Sequence, residues 1–91
     1  MSEVVIYTTP FCGYCTSAKR LLGQKSVKYV EIDVSKGYET RRWLAQASGQ
    51  RTVPQVFING QPYGGYTDLV ALDRQGRLDP LLKAATPIEA V

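Results

Sequence analysis

The chain of 91 residues contains no histidine, and only two cysteines, one tryptophan and one methionine. Without an imidazole, Ser-His-Asp and Cys-His nucleophilic sites, HExxH metalloenzymes and zinc sites of mixed Cys and His ligands are excluded. Chemistry must therefore run on thiols, carboxylates, hydroxyls, amines or backbone. Long hydrophobic runs are missing too. The opening MSEVVIYTT holds an apolar stretch too short for a signal-peptide core or a bilayer span, so a cytoplasmic, reducing setting is expected, with no membrane partner. Charge of one sign never accumulates: 11 Lys+Arg stand against 8 Asp+Glu, net +3, and the basic residues are spread from Lys19 to Lys83. No nucleic-acid footprint forms, and Lys19-Arg20 and Arg41-Arg42 read as solvated helix faces that also steer anionic small molecules. Internal repeats, linkers and low-complexity segments are absent as well.

What is present is ordinary globular material, 44% hydrophobic and 21% charged, enough for one core and one domain over residues 1–91. Val4 to Thr8 is β-branched and aromatic, a short buried strand. From Gly13 to about Gln24, Tyr14, Ala18, Leu21 and Leu22 form the apolar stripe of a helix, with Gly23 near its end. Val27 to Val34 alternates as a second strand. Ser35 or Lys36 opens a helix to about Ser48, with Tyr38, Trp43, Leu44 and Ala47 as its buried side and Gly49 as its stop. A strand-helix-strand run of this kind closes as a right-handed crossover with parallel strands. Beyond Pro54, Gln55 to Ile58 and Gln61 to Tyr63 flank Asn59-Gly60, which suits a type I′ hairpin turn. Thr67 to Arg74 follows as a helix, and Asp79-Pro80 offers the start of a short terminal one, with fraying from Thr86. The expectation is an α/β fold of order β-α-β-α-β-β-α plus a short terminal helix. Its four-stranded mixed sheet joins two parallel strands to an antiparallel hairpin.

Cys12 and Cys15, two residues apart, fall at the turn from the first strand into the first helix. A structural bridge here would be weak, since closing so short a ring contributes only about 2 kcal/mol on chain-entropy grounds. Half of a zinc site lacks further Cys or His ligands in the chain. The redox reading is favoured: a CxxC pair at a strand-to-helix turn inside a βαβ pattern. Cys12 sits at the N-cap and Cys15 one turn inside, on the same face, so the two sulfurs can meet. Unpaired N–H groups and the positive pole of the helix favour a thiolate at Cys12, which makes it the nucleophile. Lys19, two turns on, is expected to help it little.

Cys12-Gly13-Tyr14-Cys15 after a first strand, Thr52-Val53-Pro54 before the hairpin, and Gly64-Gly65-Tyr66-Thr67-Asp68 opening a helix together resemble a dithiol glutaredoxin of the thioredoxin superfamily. The likeness runs over nearly the whole chain. It implies a glutathione-dependent thiol-disulfide oxidoreductase acting on glutathionylated or disulfide-containing proteins, with Cys12 attacking and Cys15 resolving. Glutathione would contact Thr52, Val53, Pro54, Gly65, Tyr66, Thr67 and Asp68, and Val53 would pair with its cysteine moiety through the backbone beside a cis Pro54. Local sequence alone gives no ground for that cis bond, since only about one X-Pro bond in twenty is cis in folded proteins. The γ-glutamyl carboxylate would rest on the N–H groups of Thr67 and Asp68, a placement also favoured by the physics of a helix N-terminus, and the Asp68 carboxylate would meet the ammonium. Thr9 stands where the family commonly has a lysine for the glycyl carboxylate. That contact would pass to Arg41, whose bland reading is surface charge. Tyr14 lines the groove or packs on its helix; Trp43 and Phe57 are expected in the core. The family also implies an alternative, a [2Fe-2S] cluster bridged by Cys12 of two chains and two glutathiones, in place of a monomer. A dithiol reductase fed by a thioredoxin-type reductase is the third reading.

Overall fold

The computed structural model describes residues 4–84; the N-terminal tripeptide and the segment from Thr86, where fraying was expected, lie outside them. The elements are β1 (Val4–Thr8), α1 (Gly13–Gln24), β2 (Tyr29–Asp33), α2 (Tyr38–Ser48), β3 (Gln55–Ile58), β4 (Gln61–Gly64), α3 (Tyr66–Arg74) and α4 (Leu78–Ala84). They build one mixed sheet of order β2-β1-β3-β4, with β1 parallel to β2 and antiparallel to β3, and β3 antiparallel to β4. This is the expected thioredoxin-like layout.

Alternation along β1 sends Val4 and Ile6 to one face of the sheet and Val5 and Tyr7 to the other. On the first face Ala18 and Leu22 of α1, Leu69 of α3, and Leu78 and Leu82 of α4 pack against Val56 and Ile58 of β3. On the second, Leu44 of α2 and Val34 pack against Phe57. Strand β3 is covered on both faces and all four of its residues are buried. Each large apolar side chain buried there contributes about 1.5–3 kcal/mol. Asn59 and Gly60, at φ 52° and 80°, make the expected primed hairpin turn.

Several expected boundaries and burials differ. Val27 does not open β2, because its N–H closes the end of α1 on the Leu22 carbonyl at 3.2 Å, with Ser26 rather than Gly23 taking the left-handed position at φ 58°. Helix α2 begins at Tyr38, since the Ser35 N–H bonds to the Asp33 carboxylate at 2.8 Å and holds residues 33–35 in a turn. Helix α3 starts one residue earlier than expected, after Gly65, and α4 starts at Leu78. Tyr14, Tyr38, Trp43 and Ala47 are exposed, Tyr38 at 80% and Trp43 at 47%. The buried stripe of α1 is Cys15, Ala18 and Leu22, and that of α2 is Leu44 alone. Trp43 instead stacks on Phe57 with ring centroids 6.1 Å apart, and Tyr7 meets both rings. Lys25 at the end of α1 bonds to Asp73 at 2.7 Å and Asp79 at 3.0 Å, tying α1, α3 and α4 together.

Candidate active site

Two helix N-termini meet at one loop, Val53–Pro54: the start of α1 with the cysteines, and the start of α3. Cys12 is the N-cap of α1, with extended backbone, and its sulfur accepts the Cys15 N–H at 3.1 Å. Its carbonyl accepts the Thr16 N–H at 3.1 Å and the Thr16 hydroxyl at 3.2 Å. One sulfur thus sits where the first turn leaves N–H groups unpaired and the helix dipole is positive, which favours negative charge on it. Cys12 and Cys15 are joined as a disulfide; Cys12 is half-buried and Cys15 is only 2% exposed. An incoming thiolate therefore reaches Cys12. Phe11, beside it, is fully exposed at φ 59°.

The Val53–Pro54 peptide bond is cis, as the resemblance implied, and the Cys12 sulfur lies 3.9 Å from the Val53 carbonyl oxygen. This loop is held from behind by a residue the sequence reading passed over. The wholly buried Gln55 donates through Nε2 to the Gln50 side chain at 2.9 Å, the Thr52 carbonyl at 2.9 Å and the Thr52 hydroxyl at 3.3 Å. A polar residue at the head of the otherwise apolar QVFI strand was the signal for it.

The third wall is the start of α3. The Gly65 N–H donates to the Asp68 carboxylate at 2.9 Å, which fixes the first turn. A β-carbon on Gly65 would stand 3.1 Å from the Pro54 carbonyl, so glycine lets this helix end approach the loop. A groove of about 480 Å³ results. Its walls carry Tyr14, Thr52, Val53, Pro54, Gly65, Tyr66, Thr67 and Asp68, eight of the nine residues expected to bind glutathione, together with Gln50, which was not anticipated. Tyr14 faces this groove, its ring 6.2 Å from that of Tyr66. Arg41 is not among them. It lines a separate cavity of about 520 Å³ with Tyr38, Arg42 and Arg51, and its guanidinium donates to the Arg51 carbonyl at 3.4 Å.

The glutaredoxin family model matches residues 4–63. The chain belongs to the glutaredoxin family. It is 47% identical over 83 residues to glutaredoxin 3 of Escherichia coli, covering 91% of this chain and all of that protein, and 49% identical over 84 residues to a Pseudomonas aeruginosa glutaredoxin, covering 92% and all of it. Among solved structures it superposes on a buckwheat glutaredoxin-glutathione complex with a TM-score of 0.84 at 34% identity, covering 90% of this chain and 77% of that one. Glutaredoxins are thiol-disulfide oxidoreductases, and this glutaredoxin holds its cysteine pair at the helix end where that chemistry needs it. No helix among the described residues is long and apolar enough to cross a membrane.

A third cavity, of about 410 Å³, borders the pair itself, with Cys12, Cys15, Lys19 and Glu31 in its walls. Glu31 accepts the hydroxyl of the buried Thr8 at 2.8 Å and the Lys19 ammonium at 3.1 Å, both on one oxygen. The Thr8 bond first, and then Lys19, hold its carboxyl below the usual glutamate value. As to a metal, among the described residues no three His, Cys, Asp or Glu side chains gather. A cluster would need Cys12 of a second chain and external thiols.

Proposed function

We propose that this glutaredoxin is a dithiol, glutathione-dependent oxidoreductase of the cytoplasm that reduces protein-glutathione mixed disulfides and protein disulfides. The observation that carries the reading is one groove joining the N-terminus of α3 to the backbone of Val53, whose carbonyl oxygen lies 3.9 Å from the Cys12 sulfur. A tripeptide with a carboxylate at each end matches those features. Its γ-glutamyl carboxylate rests on the first-turn N–H groups of Thr67 and Asp68, and its ammonium meets the Asp68 carboxylate. Its cysteinyl backbone pairs with Val53, which places its sulfur beside Cys12. The buckwheat complex supports the same ligand.

In the first reaction the Cys12 thiolate attacks a mixed disulfide, the target protein leaves as a thiol, and glutathione stays on Cys12 until a second glutathione removes it. For a protein disulfide, Cys12 attacks first, Cys15 displaces the target, and two glutathiones reduce the resulting Cys12–Cys15 bond. The electron donor tests the reading. Turnover is expected with NADPH, glutathione reductase and glutathione, and not with NADPH and a thioredoxin-type reductase in the absence of glutathione; the reverse dependence would overturn it. Arg41 takes the glycyl carboxylate by swinging from the Arg51 carbonyl, since Thr9 offers no cation. Arg41→Ala should raise KM for a glutathionylated substrate without abolishing turnover, and an unchanged KM would confine Arg41 to its own cavity.

A further inference from the structure

The Cys12–Cys15 disulfide is opened by attack on the accessible Cys12 sulfur, and the electron pair of the broken bond then lands on Cys15, which is only 2% exposed. A buried thiolate is costly unless a charge or a donor meets it. Cys15 and Lys19 are four residues apart on α1, so their β-carbons are neighbours at about 5–6 Å on one helix face. In β1 and β2, Ile6 pairs with Glu31 and Thr8 with Asp33, which sets Thr8, Glu31 and Asp33 on the sheet face that α1 covers. Cys15, Lys19, Thr8, Glu31 and Asp33 all line the cavity beside the pair, and among the described residues Lys19 is its one cation. Apart from the Thr9 hydroxyl, which is uncharged, the other polar side chains there each hold a partner. Glu31 holds Thr8 and Lys19, Asp33 holds the Ser35 N–H, and the Thr16 hydroxyl serves the Cys12 carbonyl. The ammonium has three N–H donors and uses one on Glu31, leaving two.

We infer that Lys19 serves the resolving cysteine: its ammonium, tethered over the cavity by Glu31 and Thr8, neutralises the charge that develops on Cys15 when glutathione opens the Cys12–Cys15 disulfide. In that step the glutathione sulfur bonds to Cys12, the Cys12–Cys15 bond breaks, and Cys15 leaves as a thiolate that afterwards takes a proton from solvent. Glu31 and Thr8 are positioning residues. The inference rests on the dithiol cycle proposed above, but it concerns a different residue and a different step. An opposite charge at about 4–6 Å favours an anion by roughly ten- to a thousandfold. With about half of that expressed in the transition state of thiol-disulfide exchange, the rate effect is about three- to thirtyfold.

The test is single-turnover reduction of the oxidised protein at fixed pH, for the unmodified chain, Lys19→Gln, Lys19→Met and Lys19→Arg, with glutathione and separately with dithiothreitol. Lys19→Gln and Lys19→Met should open the bond about three- to thirtyfold more slowly and Lys19→Arg, which keeps the charge, within about twofold of the unmodified rate. In a Cys15→Ser background, where no charge reaches residue 15, adding Lys19→Gln should not change the rate of deglutathionylation. The inference is overturned if the neutral variants open the disulfide at the unmodified rate, if arginine fails to rescue, or if the Cys15→Ser background is slowed as much. Dithiothreitol separates this from the glutathione reading. A Lys19 effect seen with dithiothreitol in a protein that glutathione cannot reduce would leave the inference standing and remove the proposed reductant.

Discussion

A β-carbon at Gly64 would overlap the carboxylate of Asp68, and φ there is +91°, so two independent constraints demand glycine at the residue that leads into α3. Gly64→Ala is expected to destabilise the fold by about 1 kcal/mol or more in denaturant unfolding, and to raise KM for glutathione by moving Asp68. An unaltered KM would mean that Asp68 is not a glutathione contact. Residues with a chemical reason written into their neighbours were legible from sequence: Cys12 and Cys15 by spacing at a helix start, and Gly64 to Asp68 as a turn into a capped helix. Others were not. Gln55 works through three bonds to loop residues that only folding brings near it, and the cis state of the Val53–Pro54 bond is invisible to local sequence. Arg41 could be assigned to a helix face but not to a cavity, because a long side chain chooses between carbonyls that sequence does not place.

Among the elements, α2 departs most from its periodicity. Trp43 and Tyr38 are expected with Leu44 on the buried side, yet Leu44 alone is fully buried; it packs with Val34 and Phe57, and Val5, Tyr7 and Val53 lie against that cluster. A ring lying flat along a sheet and a ring beneath a helix have the same sequence signature. Leu44→Ala should therefore cost about 2–5 kcal/mol of unfolding free energy and Tyr38→Ala under about 0.5. Comparable losses would contradict this packing. The clasp between α1 and β2 has a pH signature. Glu31 has a folded-state pKa below its ordinary value of 4.5, so its contribution to stability is present above that value and is lost as pH falls through the folded pKa. Glu31→Gln should thus be less stable than the unmodified protein at pH 7, and the gap should close as the pH is lowered below 4.5. A gap that persists at low pH would show that the carboxylate charge is not what the clasp uses.

At the scale of the whole molecule, three segments far apart in sequence meet around the Val53–Pro54 loop: the turn after β1 through Cys12 and Tyr14, the loop itself before β3, and the turn after β4 through Gly65 and Tyr66. The order of strands and helices was legible because each turn carries its own signal, Cys12 at a cap, Pro54 before a strand, Asn59-Gly60 in a hairpin. Edge or centre was not, so the exposed β2 and the fully covered β3 came only with the assembled sheet. With no histidine in the chain, the fold supplies in backbone what an imidazole base would supply elsewhere: a capped sulfur at one helix end, and first-turn N–H groups at another. The two sulfurs are unequal in this arrangement, one accessible and one buried. The most direct measurement compares Cys12→Ser and Cys15→Ser in two glutathione-coupled assays, one on a mixed disulfide of glutathione and one on a protein disulfide. Cys12→Ser should be inactive in both, while Cys15→Ser should keep deglutathionylation and lose protein-disulfide reduction. Equal loss of both activities in Cys15→Ser would contradict the account.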